Sequence, residues 1–295
     1  VIKMHDQASR LRKMFDSEKT KTEKENYNSA SRVIAVASGK GGVGKTNVSV
    51  NLGVSLQKMD KEVLLLDADM GMANVDVLIG VTPRYNLGHV LEDKCDIEDA
   101  LITGPEGLTI LPGSSGIDEF INMNIYKIKQ LLKLASHLEE NYDIIIIDVG
   151  AGAHQGVVNF IKAADEVIVV LTPEPTAIMD AYSLIKILSK NEVRPKLNLI
   201  VNQVDNDREG DEVSKRISSV IKDYLDLEIS ITSYIPYDNT LREAVKKQKP
   251  IVNLYPRSRA GKAFTKSAGQ LIDRDVGNNA GMQGFVNKVL GFFKS

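Results

Sequence analysis

Gly39-Lys40-Gly41-Gly42-Val43-Gly44-Lys45-Thr46 is the stretch that decides the fold. It fits the phosphate-loop pattern G-x-x-x-x-G-K-[ST], which requires a strand before it and a helix after it. Both flanks comply. Val33-Ile34-Ala35-Val36-Ala37 is a short apolar run with strand character, and Asn47 to Lys58 reads as a helix. In such a loop the glycines let the backbone turn several N–H groups toward phosphate oxygens. The helix that starts near Lys45 adds its positive end. Lys45 is expected to reach the β- and γ-phosphates, and the Thr46 hydroxyl to hold Mg²⁺. Lys40, Gly41, Gly42, Val43, Gly44 and Asn47 complete the expected nucleotide cradle.

Strand and helix signals alternate outward from this loop. Strand-like runs are Val63–Leu66, Leu108–Leu111, Ile144–Ile147, Val167–Leu171, Leu197–Val201 and Ile229–Ile235, in addition to Val33–Ala37. Most are continuously apolar, as strands buried on both faces must be. Helix-like runs lie between them, among them Ile125–Glu140, Ile178–Lys190 and Asp211–Leu225. This predicts an α/β fold, a mostly parallel central sheet covered by helices on both faces. The predicted organisation is an arm over 1–31, a phosphate-loop domain over 32–274, and a linker with an amphipathic helix over 275–295.

Composition narrows the field. The 295 residues are 43% hydrophobic, enough for a large core without covalent staples. A single cysteine, Cys95, leaves no intramolecular disulfide framework and no paired-cysteine cluster site. This fits a cytoplasmic setting and argues against an iron–sulfur carrier. No run reaches membrane-spanning length. The net charge of −2 gives no support to bulk, non-specific nucleic-acid binding.

Carboxylates follow two of the strands. Asp67 and Asp69 come after the second, at the rim where open α/β sheets bind ligands. Asp148 ends a run of four isoleucines and reads as the buried aspartate that contacts Mg²⁺ through water. After it, Gly150 and Gly152 give the following loop freedom to respond to the γ-phosphate. Asn202, at another strand end, carries both a donor and an acceptor, which suits adenine's N6 and N7 edge. Gln203 stands where a guanine-binding Asn-Lys-x-Asp pattern has lysine, so ATP/ADP is expected.

Lys40 is a second lysine that one phosphate loop does not need. The variant K-G-G-x-G-K-[ST] resembles the deviant loop of the MinD/ParA family of ATPases, and the likeness spans nearly the whole chain. It implies that Lys40 reaches across a face-to-face, ATP-dependent homodimer to the partner's nucleotide. It further implies that Asp69 positions the attacking water, with Asp67 beside the metal site. By the same match Asn74, Asp76 and Leu171–Thr176 lie near the dimer interface, and Pro236, Tyr237 and Asp238 form a second base-contacting loop. The catalytic set is therefore Lys40, Lys45 and Asp69, and the metal set is Thr46, Asp67 and Asp148.

Both termini carry further signals. Asp6-Gln7-Ala8-Ser9-Arg10-Leu11-Arg12 is similar to an N-terminal motif of the flagellar regulators of the FlhG (YlxH) family. There the segment stimulates FlhF, a GTPase related to that of the signal recognition particle. Asp6, Gln7, Leu11 and Arg12 are the candidate residues, with Gln7 orienting a water in the partner. At the other end Phe285, Val286, Val289, Leu290, Phe292 and Phe293 cover one broad side of a helix. That side suits peripheral attachment to the inner membrane surface, or docking on the protein's own core, or each in turn. Six partly buried side chains supply about 5 kcal/mol, marginal for one copy. A dimer presenting two copies gains roughly 10²–10⁴ in effective concentration. The function expected is thus control of flagellum number or placement, with flagellar basal-body proteins as further partners and no specific nucleic acid. Rival expectations are a cell-division site regulator of the MinD branch, a DNA-partitioning ATPase of the ParA branch, and a binding module without turnover.

Overall fold

Seven apolar runs and a short edge strand assemble into an eight-stranded sheet. The computed structural model describes residues 30–69, 74–113, 125–190, 195–273 and 279–292. The chain divides into two units, 1–30 and 31–295, and the second is described below. Its strands are β1 (Arg32–Ala37), β2 (Val63–Ala68), β3 (Ile102–Thr103), β4 (Thr109–Leu111), β5 (Ile144–Val149), β6 (Glu166–Leu171), β7 (Lys196–Val204) and β8 (Ser230–Pro236). They lie in the order β3-β4-β2-β5-β1-β6-β7-β8. Only β3, at one edge, runs antiparallel to its neighbour. Its two residues are too few to show a pattern in sequence.

The described helices are α1 (Lys45–Gln57), α2 (Val75–Ile79), α3 (Leu87–Leu91), α4 (Ile97–Ala100), α5 (Ile125–Asn141), α6 (Gln155–Ala163), α7 (Pro175–Ser189), α8 (Asp207–Leu225), α9 (Asn239–Lys246), α10 (Ile251–Leu254), α11 (Arg259–Ile272) and α12 (Gly281–Phe292). Side chains alternate across each strand and divide the interior into two cores. Val33, Ala35 and Ala37 of β1 face a core shared with α5, α6, α7, α8 and α12. Ile34 and Val36 face the opposite core, with α1, α10 and α11. β1 is the hub: β5 and then β2 lie on one side of it, and β6 to β8 on the other. The chain reverses its direction of winding there, which opens a crevice at the strands' carboxyl ends.

The opposite end of the sheet is tied by charge. Arg32, the first residue of β1, pairs with Glu166, the first of β6, and donates to the Leu271 carbonyl at the end of α11. Asn198 Nδ2 also donates to Glu166 Oε2, at 3.1 Å. A buried ion pair holds its place when its remaining hydrogen-bonding groups are satisfied in this way.

α12 packs on the first core. Phe285, Val286, Val289 and Leu290 are buried there, and Phe292 packs partly against it. Phe293 lies outside the described residues. The face expected to meet a membrane therefore meets the protein itself in this structure, which is the docked alternative of the sequence reading. Burying four such side chains is worth roughly 6–12 kcal/mol gross, before the cost of ordering the helix. Its first turn is also held by acids: the Ala280 N–H donates to Asp165 Oδ1 at 2.8 Å, and the Gln283 N–H to Glu139 Oε2 at 3.0 Å. Lys288 Nζ donates to the Ala163 carbonyl at 3.2 Å. Among the described residues no helix is long and apolar enough to cross a membrane.

Candidate functional site

The loop from Ser38 to Lys45 runs from β1 straight into α1. Gly44 takes φ 89° at the helix start, a left-handed conformation open to glycine. Space demands glycine there too, because a Cβ at 44 would lie 2.4 Å from Asn202 Nδ2. That nitrogen donates to the Val43 carbonyl at 2.8 Å, so the end of β7 braces the loop from beneath. The brace depends on an irregularity in β7. The register with β8 shifts between Asn202 and Val204, and Gln203 takes φ 61°.

Lys45 is buried and points into the crevice. Its Nζ lies 2.7 Å from Asp148 Oδ1 and 3.7 Å from Asp69 Oδ2. Asp148 is fully buried on β5, in direct register with Asp67 on β2. Two neighbouring carboxylates in low dielectric repel, and the lysine compensates them. Ser49, one turn along α1 from Lys45, donates from Oγ to the same Asp148 oxygen at 2.9 Å. The sequence reading missed Ser49, although its i+4 spacing from Lys45 already placed it on the same helix face.

Asp67 is the backbone's holder. Its Oδ1 accepts from the Asp69 N–H at 3.1 Å, and its Oδ2 from the N–H groups of Asn74 and Val75 at 3.1 and 3.2 Å. Burial pushes its pKa up to about 6, against those hydrogen bonds and with help from the Asp148 charge. Asp67 thus closes the loop after β2 at both ends and starts α2, while standing beside Asp148.

The two lysines of the loop face different ways. Lys40 is 40% exposed at the rim, with its Nζ 3.0 Å from Glu174 Oε2 and 3.0 Å from Thr176 Oγ1. Those partners open α7, inside the stretch expected at the dimer interface. The loop after Asp148 touches the phosphate loop directly, since the Gly152 N–H donates to the Ser38 carbonyl at 2.9 Å.

On the base side, Asn202 Oδ1 is buried and has no hydrogen-bond partner. Pro236 ends β8, and the Tyr237 N–H returns to the Val204 carbonyl at 2.8 Å. The Arg242 guanidinium sits 5.1 Å from the Tyr237 ring centre. The Asp238 side chain is spent on capping, accepting from Thr240 at the start of α9 and from the Ala260 N–H of α11. Burial raises its pKa, but hydrogen bonds from Thr240 and Ala260 and the Arg259 charge outweigh this and hold it below the ordinary value. A base contact from this loop falls to its backbone.

The residues present suit Mg²⁺. Asp148 Oδ2 is a buried anionic oxygen with no hydrogen-bond partner. Thr46 adds a hydroxyl in the first turn of α1. Among the described residues no group of three or more His, Cys, Asp or Glu is placed to hold a metal alone. Asp6, Gln7, Leu11 and Arg12 lie outside the described residues.

Comparison with known proteins agrees with this geometry. A family profile described as an AAA domain matches residues 31–201. The chain is 40% identical over 242 residues to the antiactivator FleN of Pseudomonas aeruginosa, spanning 82% of this chain and 86% of that protein. It is 33% identical over 284 residues to the flagellum site-determining protein YlxH of Helicobacter pylori, spanning 92% of each. The septum site-determining protein MinD from Pyrococcus horikoshii, solved with Mg-ADP, matches with a TM-score of 0.66 at 29% identity, over 82% of this chain and 96% of that one. With an inward lysine on two strand-end carboxylates and a second lysine at the loop rim, the chain belongs to the MinD/ParA family of ATPases.

Proposed function

We propose that this ATPase uses ATP to pair two copies face to face, and that pairing controls attachment of its C-terminal helix to a membrane surface. The observation that carries the reading is Lys40. Its ammonium lies at the partly exposed rim of the loop, held by two partners on exposed side chains. A cation so placed is available to the triphosphate of a facing copy. Lys45 serves the phosphates of its own chain, Thr46 and Asp148 hold Mg²⁺, and Asp69 positions the attacking water. The Mg²⁺ ion, when bound, draws charge from the β- and γ-phosphate oxygens. The Asn202 amide nitrogen is committed to the Val43 carbonyl and is not free for adenine N7 as the sequence suggested, so Asn202 Oδ1 and the backbone of Pro236–Asp238 hold the adenine.

The relatives named as antiactivator and flagellum site-determining proteins support a role in flagellum number or placement. The segment Asp6–Arg12 would act on an SRP-type GTPase, FlhF, and flagellar basal-body proteins are the further partners. The protein would then sit in the cytoplasm and, with ATP, peripherally on the cytoplasmic membrane. α12 supports the last step, because the apolar face of Phe285, Val286, Val289, Leu290 and Phe292 suits a protein groove or a lipid surface alike.

The test compares oligomeric state and vesicle sedimentation with ATP, ADP and no nucleotide. Asp69→Ala is expected to accumulate as an ATP-loaded dimer on vesicles, and Lys40→Ala to lose stimulated hydrolysis while keeping ATP binding. An Asp69→Ala protein that stays monomeric and hydrolyses ATP normally removes Asp69 from its role. DNA retardation in place of vesicle binding would move the protein to the DNA-partitioning branch.

A further inference from the structure

Ser49 shares one carboxylate oxygen with the loop lysine. Its Oγ lies 2.9 Å from Asp148 Oδ1 and 3.2 Å from the Lys45 carbonyl, and the residue is fully buried. A hydroxyl has one proton to donate. The shorter contact, to an anion, is the stronger claim on it.

Asp148 Oδ1 thus receives two donors, Ser49 Oγ and Lys45 Nζ at 2.7 Å. Its other oxygen, Oδ2, receives none. Rotation of a carboxylate about its last bond is soft. Pinning one oxygen therefore sets the direction of the other. Of the two pins, Lys45 is the one that phosphate-loop chemistry calls away to the β- and γ-phosphates. Ser49 comes from the rigid first turns of α1 and has no such competing duty.

We propose that Ser49 is a positioning residue for the ATPase reaction: its hydroxyl holds Asp148 so that Oδ2 stays directed at the Mg²⁺ position after Lys45 has moved to the phosphates. The proposal rests on the reading that Thr46 and Asp148 hold Mg²⁺. It concerns the metal step alone and leaves the base and dimer contacts untouched. Groups that orient a metal-binding carboxylate from behind contribute about 10–100-fold to metal affinity or activity.

The test uses the full-length protein and a non-hydrolysable ATP analogue, titrated calorimetrically in EDTA and then across a Mg²⁺ series. In Ser49→Ala the affinity in EDTA is expected to stay within about twofold, while the gain on adding Mg²⁺ falls about tenfold. Ser49→Thr and Ser49→Val have nearly the same shape and differ in the hydroxyl. Thr is expected to keep the Mg²⁺ gain and Val to lose it, which decides the matter even where Ala disturbs packing. A Val protein with the full Mg²⁺ gain overturns the proposal. So does an Ala or Val protein whose affinity falls equally with and without Mg²⁺, since that marks a merely structural contact. A wild-type protein with no Mg²⁺ gain overturns the metal reading itself, and this inference with it.

Discussion

The ring of Phe285 stands edge-on to that of Phe160, 5.8 Å between centres and 65° between planes. Phe160 belongs to α6, the helix that follows Asp148 and the Gly150–Gly152 loop. This contact fastens the C-terminal helix to an element in covalent continuity with the Gly150–Gly152 loop. Phe285→Ala is expected to destabilise the docked helix by about 3–5 kcal/mol, the range for truncating a buried phenylalanine. Limited proteolysis would show faster cutting between residues 273 and 279. Unchanged cutting would mean that the helix is held by other contacts.

Lys45 and Asp148 form a buried pair, and removing one member strands the other. Lys45→Ala leaves Asp148 buried beside Asp67 with its lysine gone. We expect a loss of about 3–5 kcal/mol in the absence of nucleotide, measured by urea unfolding. Lys45→Ala/Asp148→Asn should recover much of that loss, because the amide carries no charge. Neither protein should bind ATP tightly.

Lys40 and Glu174 predict the opposite. Their pair is 40% and 65% exposed at its two side chains. Exposed pairs are worth about 0–1 kcal/mol. Glu174→Gln should therefore change unfolding by less than about 1 kcal/mol. Lys40→Ala should likewise leave the fold intact while ATP-stimulated dimerisation, followed by light scattering, is lost. A strongly destabilised Lys40→Ala protein would instead make Lys40 a structural residue.

Glu139 gives a pH signature. Burial raises its pKa, against the hydrogen bond from Gln283 and with help from the charges of Asp165 and Glu140. A raised value in the fold means that the folded protein holds this proton more tightly than the unfolded chain does. Stability from this group is thus greatest at low pH and falls as pH rises from the ordinary carboxylate value through the raised one. Glu139→Gln keeps an acceptor for the Gln283 N–H and removes the charge. The variant should exceed wild type in stability at pH 7, and the advantage should vanish near pH 4. Parallel denaturation curves at the two pH values check the sign.

The sheet was legible because its strands are buried on both faces. Seven runs, most of them continuously apolar, needed no register to be seen, whereas Ile102–Thr103, half-exposed at the edge, had no such pattern. Lys45 and Asp148 were legible because motif spacing fixes them. Ser49, the backbone hydrogen bonds of Asp67 and the Glu174 partner of Lys40 were not. The contacts of Ser49 with Asp148 and of Lys40 with Glu174 depend on how distant segments meet, and those of Asp67 on how the loop after β2 turns back, and local spacing encodes neither. The six apolar residues from Phe285 to Phe293 announced that something must cover them. They could not say what, because a protein groove and a bilayer present the same apolar medium.

The connection between α11 and α12 limits how far the latter can travel. Arg32 holds the Leu271 carbonyl and Asp165 holds the Ala280 N–H, so both ends of this segment are moored at the start of β1. The phosphate loop leaves from that strand's other end. The stretch 273–279 can pay out only about 25 Å even when fully extended. Once out of its groove, α12 would thus remain on a leash of that length from the end of α11, close enough to return.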